Sequence, residues 1–110
     1  MSDQAVSTLP SPDLGDVELV DVMRALGDPV RLCIVRMLGD GRTHPKHECV
    51  ALVDVQKSTL SHHFKTLCEA GLTRTFVEGR THSIRLRREE LDDRFPGLLD
   101  AVLAGAPSPH

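Results

Sequence analysis

The chain has 110 residues, of which 40% are hydrophobic and 26% charged, and its formal net charge at pH 7 is −3. This length allows one domain that buries about two thirds of its unfolded surface, so a second domain is excluded. No apolar run approaches the ~18 residues of a transmembrane helix, and three cysteines, an odd number, argue against a disulfide framework. We therefore expect a cytoplasmic protein with no membrane contact.

The first predicted elements are an N-terminal arm and an amphipathic helix. Residues 1–13 combine serines and prolines, which favour a flexible arm. A helix should begin at Asp13 or Asp16 and end near Gly27, because the apolar residues between them recur at helical spacing. Those apolar residues are Val17, Val20, Met23 and Leu26.

The second and third helices are predicted to follow directly. Asp28 and Pro29 supply an N-cap and a proline at the first position of a helix that runs to Gly39. A looser segment, residues 44–53, is predicted to be a short third helix, and residues 54–56 the turn after it.

A fourth helix carries the most informative pattern in the chain. Leu60, Phe64 and Leu67 fall at i, i+4 and i+7, so they should line one side of a helix that stops before Gly71. The other positions carry short hydrogen-bonding side chains and lysines: Lys57, Ser58, Thr59, Ser61, His62 and Lys65. Such side chains suit base edges in the major groove and nearby phosphates, although a merely solvated face would have a similar composition.

A β-hairpin is predicted after this helix, and it concentrates positive charge. β-Favouring runs stand on either side of a Gly-containing turn at 78–80, which is typical of a hairpin. Residues 56–88 hold seven basic residues, Arg74 and Arg80 among them, against two acidic ones, a net charge of +5. The segments on either side each have a net charge of −4. This distribution directs attraction for phosphate to one surface.

The C-terminal part is predicted to be one amphipathic helix that is kinked or split at Pro96-Gly97. Its apolar positions are Leu91, Phe95, Leu98, Leu99, Val102 and Leu103. Residues 105–110 are predicted to be a disordered tail, which leaves residues 14–104 as the folded domain. Four helices, a hairpin and a terminal helix describe a mainly α fold with a β-hairpin wing, the winged helix-turn-helix.

The chain resembles the ArsR/SmtB family of winged-helix transcriptional regulators over about residues 17–103. The resemblance rests on ALGDPVRL at 25–32, STLSHHFKTL at 58–67, EAGL at 69–72 and EGR at 78–80. It implies a homodimer built on the first and last helices, and a pseudo-palindromic duplex operator bound through paired reading helices. Repression is the family default, and DNA is usually released when a metal, metalloid or oxidant is sensed.

The predicted contacts follow from this arrangement. We expect lysines on phosphates, short side chains near base edges, and the wing on the flanking backbone or minor groove. The predicted DNA-binding residues are Lys57, Ser58, Thr59, Ser61, His62, Lys65, Arg74 and Arg80. His63 is expected to be partly packed. The predicted dimer interface joins Leu98, Leu99, Val102 and Leu103 to Val17 and Val20.

A metal site is a further prediction, with an open alternative. The Cys-x-Cys pair of many family members is missing here, and the last helix offers no His for the other common site. His44, His47 and Cys49 supply two imidazoles and a thiol within six residues, which Ni²⁺ or Zn²⁺ would accept. The alternative is a polar loop with a partly buried thiol, because three donors fall short of a tetrahedral set. Oxidation of Cys68, beside the reading helix, is another candidate signal.

Two other classes of protein are alternatives to a DNA-binding regulator. An enzyme would need a nucleophile with its base, paired carboxylates in a pocket or a phosphate-cradling Gly loop, so we expect neither catalysis nor a small-molecule substrate. The alternative is a winged-helix protein-interaction module without specific DNA binding. Such a module would lack basic residues on the reading helix and wing, whereas Lys57, Lys65 and Arg80 are present.

Overall fold

Residues 6–105, the part of the chain described by this computed structural model, contain six α-helices and a four-stranded antiparallel sheet. The helices are α1 (Leu19–Leu26), α2 (Pro29–Met37), α3 (Lys46–Leu52), α4 (Lys57–Glu69), α5 (Arg88–Arg94) and α6 (Leu98–Ala104). The strands are β1 (Ser7–Thr8), β2 (His44–Pro45), β3 (Thr73–Glu78) and β4 (Thr81–Leu86), in the order β1-β3-β4-β2. Helices dominate and a hairpin follows α4, which confirms the predicted mainly α winged helix-turn-helix.

The α4 stripe predicted from sequence lies in the core. Leu60, Phe64 and Leu67 are buried, and they belong to one apolar cluster that also contains side chains of α1, α2, β4, α5 and α6. Burial of this stripe fixes which side of α4 faces outward. After α4 the chain turns at Gly71, where φ is +82° and an added Cβ would lie 2.9 Å from Cγ2 of Val17. Glycine is therefore required there for both backbone conformation and space.

The predicted flexible arm needs correction for its described part, residues 6–13. Ser7 and Thr8 pair with Val77 and Phe76 of β3, and the amide of Leu9 donates to the carbonyl of Thr75 at 2.9 Å. Without this segment the outer edge of β3 would have unpaired backbone groups, which an extended segment of any composition can satisfy. Residues 1–5 lie outside the described part of the chain, as do 106–110 of the predicted tail.

The first helix begins later than predicted, at Leu19 rather than at Asp13 or Asp16. Asp13 instead caps a single 3-10 turn, with its carboxylate accepting from the amide of Gly15 at 2.8 Å. Val17 then adopts an extended conformation and is buried against Gly71. The helical spacing of apolar residues therefore extends, at Val17, to a position before the helix begins.

The other boundaries follow local signals more closely. The carboxylate of Asp28 accepts from the amides of Val30 (2.9 Å) and Arg31 (3.1 Å), which confirms the predicted N-cap of α2. The predicted third helix is shorter, since His44 and Pro45 pair with β4 as β2. The C-terminal helix is split into α5 and α6, and Gly97 has φ +86°. None of the helices within residues 6–105 is long and apolar enough to cross a bilayer.

Candidate nucleic-acid interface

The exposed face of α4 carries six of the predicted contact residues. Their side chains are all exposed: Lys57, Ser58, Thr59, Ser61, His62 and Lys65. Lys65 is 4.0 Å from Glu69, a surface pair that holds the lysine only weakly. The structure thus places short hydrogen-bonding groups and two exposed lysines on one side of a helix whose opposite side is buried in the core.

The N-terminal end of α4 also suits an anion. Gln56 occupies the N-cap position and makes no side-chain hydrogen bond to the helix, and the first turn contains no acidic residue. The first amides of a helix lack partners within it, and the helix dipole favours negative charge there. A phosphate beside Lys57 would meet both the ammonium and these amides.

The wing presents a second cationic element. Strands β3 and β4 pair from Thr73↔Leu86 to Glu78↔Thr81, and the chain reverses at Gly79, whose φ is +62°. Arg80 is exposed in this turn, as predicted for a wing contact. Arg85 is also exposed on β4, with its guanidinium 5.1 Å from the centroid of the Phe76 ring.

Arg74, which is predicted to contact DNA, pairs with side chains of its own protomer and is partly buried. Its Nη2 lies 3.2 Å from both carboxylate oxygens of Glu90, and its Nη1 donates to the hydroxyl of Ser11 at 3.1 Å. Glu90 also binds Arg87, whose side chain is only 2% exposed. The hydrogen bonds from Arg87, aided by those from Arg74, lower the pKa of Glu90 to about 2. The acidic segment after the hairpin therefore folds back and neutralises part of the basic block.

The predicted metal ligands do not converge. His44 lies between two carboxylates, with Nε2 2.9 Å from Asp40 and Nδ1 3.0 Å from Glu48, and these hydrogen bonds raise its pKa. Cys49 is fully buried, whereas His47 is exposed. Positions two apart on a helix point about 200° apart, so His47 and Cys49 cannot share an ion on α3. Within residues 6–105, no group of three or more His, Cys, Asp or Glu side chains is arranged to hold a metal.

Two of the thiols, those of Cys49 and Cys68, have a raised pKa. Burial raises the pKa of Cys49 to about 11, and its sulfur lies 4.0 Å from that of Met37. Burial also raises the pKa of Cys68, whose Sγ is 3.7 Å from the carbonyl oxygen of Pro10. The thiolate is the reactive form, so both shifts lower reactivity at neutral pH.

The predicted dimer residues are divided between the core and the surface. Leu99 and Val17 are buried within the protomer, which removes them from the predicted interface. Leu19, Val20 and Met23 of α1 are instead 47%, 52% and 53% exposed. Beside them lies an open groove of about 430 Å³, lined by apolar residues of α1, α2 and α6 that include Met23, Leu26, Leu32, Leu98 and Val102.

The contact between Arg31 and His63 is not evident from the sequence. Arg31 donates from Nε to the carbonyl of Ala25 at 2.7 Å, and its Nη1 lies 3.1 Å from Nδ1 of His63. His63 is buried, consistent with its predicted packing. Only the position of Arg31 one turn after the Asp28 cap hinted at a structural role, because the pattern of the sequence does not reveal a contact 32 residues away.

The fold and the exposed face of α4 define a winged helix-turn-helix protein. The chain belongs to the arsR family of bacterial regulatory proteins, whose family model matches residues 28–75. The match covers α2, α3 and α4 and ends within β3.

Individual relatives support the same assignment. The uncharacterized HTH-type transcriptional regulator YceK of Bacillus subtilis (strain 168) is 38% identical over 82 residues, which cover 74% of this chain and 82% of YceK. The arsenical resistance operon repressor of Staphylococcus xylosus is 38% identical over 77 residues, 68% of this chain and 71% of that protein. A crystal structure of a possible transcriptional regulator for arsenical resistance superposes with a TM-score of 0.59 at 26% identity, covering 80% of this chain and 98% of the other.

Proposed function

We propose that this transcriptional regulator is a repressor that binds a pseudo-palindromic duplex operator as a homodimer. The observation that carries the proposal is the exposed face of α4, where hydrogen-bonding side chains and lysines stand opposite a buried apolar stripe. A helix seated in this way can enter the major groove and present side chains to base edges. Similarity to a protein named as an operon repressor supports repression.

The proposed contacts separate into positioning and reading. Lys57 and Lys65 bind phosphates, and Arg80 of each wing binds the flanking backbone or minor groove. The side chains proposed to read base edges are Ser58, Thr59, Ser61 and His62. Arg74 is left out because Glu90 and Ser11 already occupy its guanidinium.

The proposed dimer surface is centred on α1. Leu19, Val20 and Met23 expose large apolar side chains next to the groove that α6 helps to form. A contiguous apolar patch of this kind is typical of an interaction site. A two-fold dimer would present two copies of α4, which binding to two half-sites about 34 Å apart requires.

Neither predicted signal is part of this proposal. Metal control through His44, His47 and Cys49 would need a rearrangement of α3, because His47 is exposed and Cys49 is buried. Redox control through Cys68 would require a reactive thiolate, which burial disfavours.

Selection of duplexes from a random-sequence DNA pool tests the proposal. We expect an inverted repeat to be recovered, and the protein to bind it at least about 10³-fold more tightly than a scrambled duplex at physiological salt. Fluorescence anisotropy titrations against both duplexes measure this ratio. Equal affinity for both would instead favour the winged-helix protein-interaction module.

A further inference from the structure

The side chain of Arg31 joins the C-terminal end of α1 to the middle of α4. On one side its Nε donates to the carbonyl of Ala25 at 2.7 Å, and its Nη2 to the carbonyl of Arg24 at 3.4 Å. On the other side its Nη1 lies 3.1 Å from Nδ1 of His63. One guanidinium therefore contacts the helix with the proposed dimer surface and the helix with the proposed reading face.

The chemistry of the two groups fixes the direction of the bond. A guanidinium has only donors, so Nδ1 of His63 must be the acceptor and the ring proton must lie on Nε2. The carbonyls of Ala25 and Arg24 are at the C-terminal end of α1, where the helix dipole favours a cation. The nearest carboxylate to His63, that of Asp28 at 3.9 Å, already accepts two amides as the cap of α2.

His63 is well placed to transmit orientation. Its side chain is only 11% exposed. Its neighbours in sequence, Ser61 and His62, lie on the exposed face of α4. A hydrogen bond to an ionised donor is stronger and more directional than a neutral one. A constraint on this buried ring therefore limits rotation of α4 about its own axis.

We propose that Arg31 is a positioning residue, which sets the orientation of α4 relative to α1 and hence the geometry of the two reading faces in the dimer. This inference rests on the proposed DNA-binding function. Base contacts need a defined helix orientation, whereas phosphate contacts tolerate small changes. Loss of the Arg31 link should therefore reduce discrimination between duplexes more than it reduces general affinity for DNA.

The test uses the full chain with two duplexes, the inverted repeat recovered by selection and its scrambled version. Arg31→Met should lower the ratio of the two affinities by about tenfold, because the guanidinium no longer connects α1 to His63. Arg24→Met is the matched control, because it removes an exposed arginine side chain from the C-terminal end of α1 but keeps the backbone carbonyl that Arg31 contacts. We expect this control to keep the wild-type ratio.

Variants of His63 separate positioning from simple loss of stability. His63→Leu removes the acceptor and should lower the ratio as Arg31→Met does, whereas His63→Gln offers an amide oxygen and should restore most of it. The double variant Arg31→Met/His63→Leu should be no worse than either single variant, because both break the same link. Thermal melting is followed for every protein, so that only the folded fraction is compared.

The outcomes are distinct. Wild-type discrimination in both Arg31→Met and His63→Leu, whatever their melting temperatures, would show that Arg31 only stabilises the fold and would overturn the inference alone. A wild-type protein that does not distinguish the two duplexes would overturn the proposed function and the inference together. If Arg31→Met does not fold, His63→Leu and His63→Gln still decide the question.

Discussion

Arg87 and Glu90 form an ion pair in which the guanidinium is buried and the carboxylate reaches it from the surface, with Nη2 and Oε2 2.8 Å apart. Arg87 also donates to the carbonyl of Pro12 at 2.7 Å. Because Glu90 binds Arg74 as well, one carboxylate links the hairpin, the start of α5 and the segment before α1.

Replacing Glu90 with Gln should lower the free energy of unfolding by about 1 to 2 kcal/mol at pH 7, a value reduced for the partial exposure of the carboxylate. The reason is that the buried Arg87 loses its charged partner. Urea denaturation measures the effect, and Glu89→Gln is the control because Glu89 is an exposed neighbour. Equal loss of stability in both variants would show that the pair is not responsible.

The same pair predicts a pH dependence. The pKa of Glu90 is lowered to about 2 in the folded protein, against ~4.3 in an unfolded chain. Its contribution is therefore fully present above the unfolded value and is lost as the pH falls through about 2. The difference in stability between wild type and Glu90→Gln should shrink between pH 5 and pH 2, and a constant difference would contradict this.

The contribution of His44 to stability should change with pH in the opposite direction to that of Glu90. Its hydrogen bonds to Glu48 and Asp40 raise its pKa, so the stability that it contributes is fully present below the unfolded value of ~6.5 and is lost as the pH rises through the folded one. The effect should not exceed about 1 kcal/mol, since both carboxylates are partly exposed. Thermal melting between pH 5.5 and 8.5 should show this slope in wild type and a flatter one in His44→Gln.

Arg80→Ala should weaken binding to the selected operator and to scrambled DNA alike. Each lost phosphate contact should make the plot of log affinity against log salt shallower by about one unit, and a dimer loses two such contacts. An unchanged salt slope in Arg80→Ala would remove the wing from the DNA interface.

Ser61→Ala should instead reduce discrimination between the selected operator and scrambled DNA, by about 1 to 3 kcal/mol if a direct base contact is made.

Val20 and Met23 are the residues that test the proposed dimer surface on α1. Replacing both with Asp should give a folded monomer with weak operator affinity, because the proposed dimer surface loses two exposed apolar side chains. Sedimentation measures the oligomeric state. Leu52→Asp is the control, since Leu52 is equally exposed but lies on α3. A double variant that remains dimeric would place the interface elsewhere.

Features coded by neighbouring residues were predicted from the sequence. The stripe of Leu60, Phe64 and Leu67, the Asp28 cap and the break at Pro96-Gly97 each depend on spacings of a few residues, which helix geometry fixes.

Features that depend on distant partners were not predicted. The sequence does not indicate that Arg74, predicted as a DNA contact, pairs with Glu90, because the two residues are 16 positions apart. Leu99 was assigned to the dimer interface because its apolar character does not reveal whether the protomer's own core already buries it. Spacing identifies a buried face, but only the tertiary structure shows what buries it.

The order of the sheet has a consequence for colloidal behaviour. β1 and β2 cover the outer sides of β3 and β4, and each is only two residues long. A long, open hairpin edge is a template on which further chains can add strands, whereas two-residue edges offer too few backbone groups. Deleting residues 6–9 would expose the β3 edge, and the truncated protein should then form insoluble cross-strand assemblies at concentrations where the full chain stays clear.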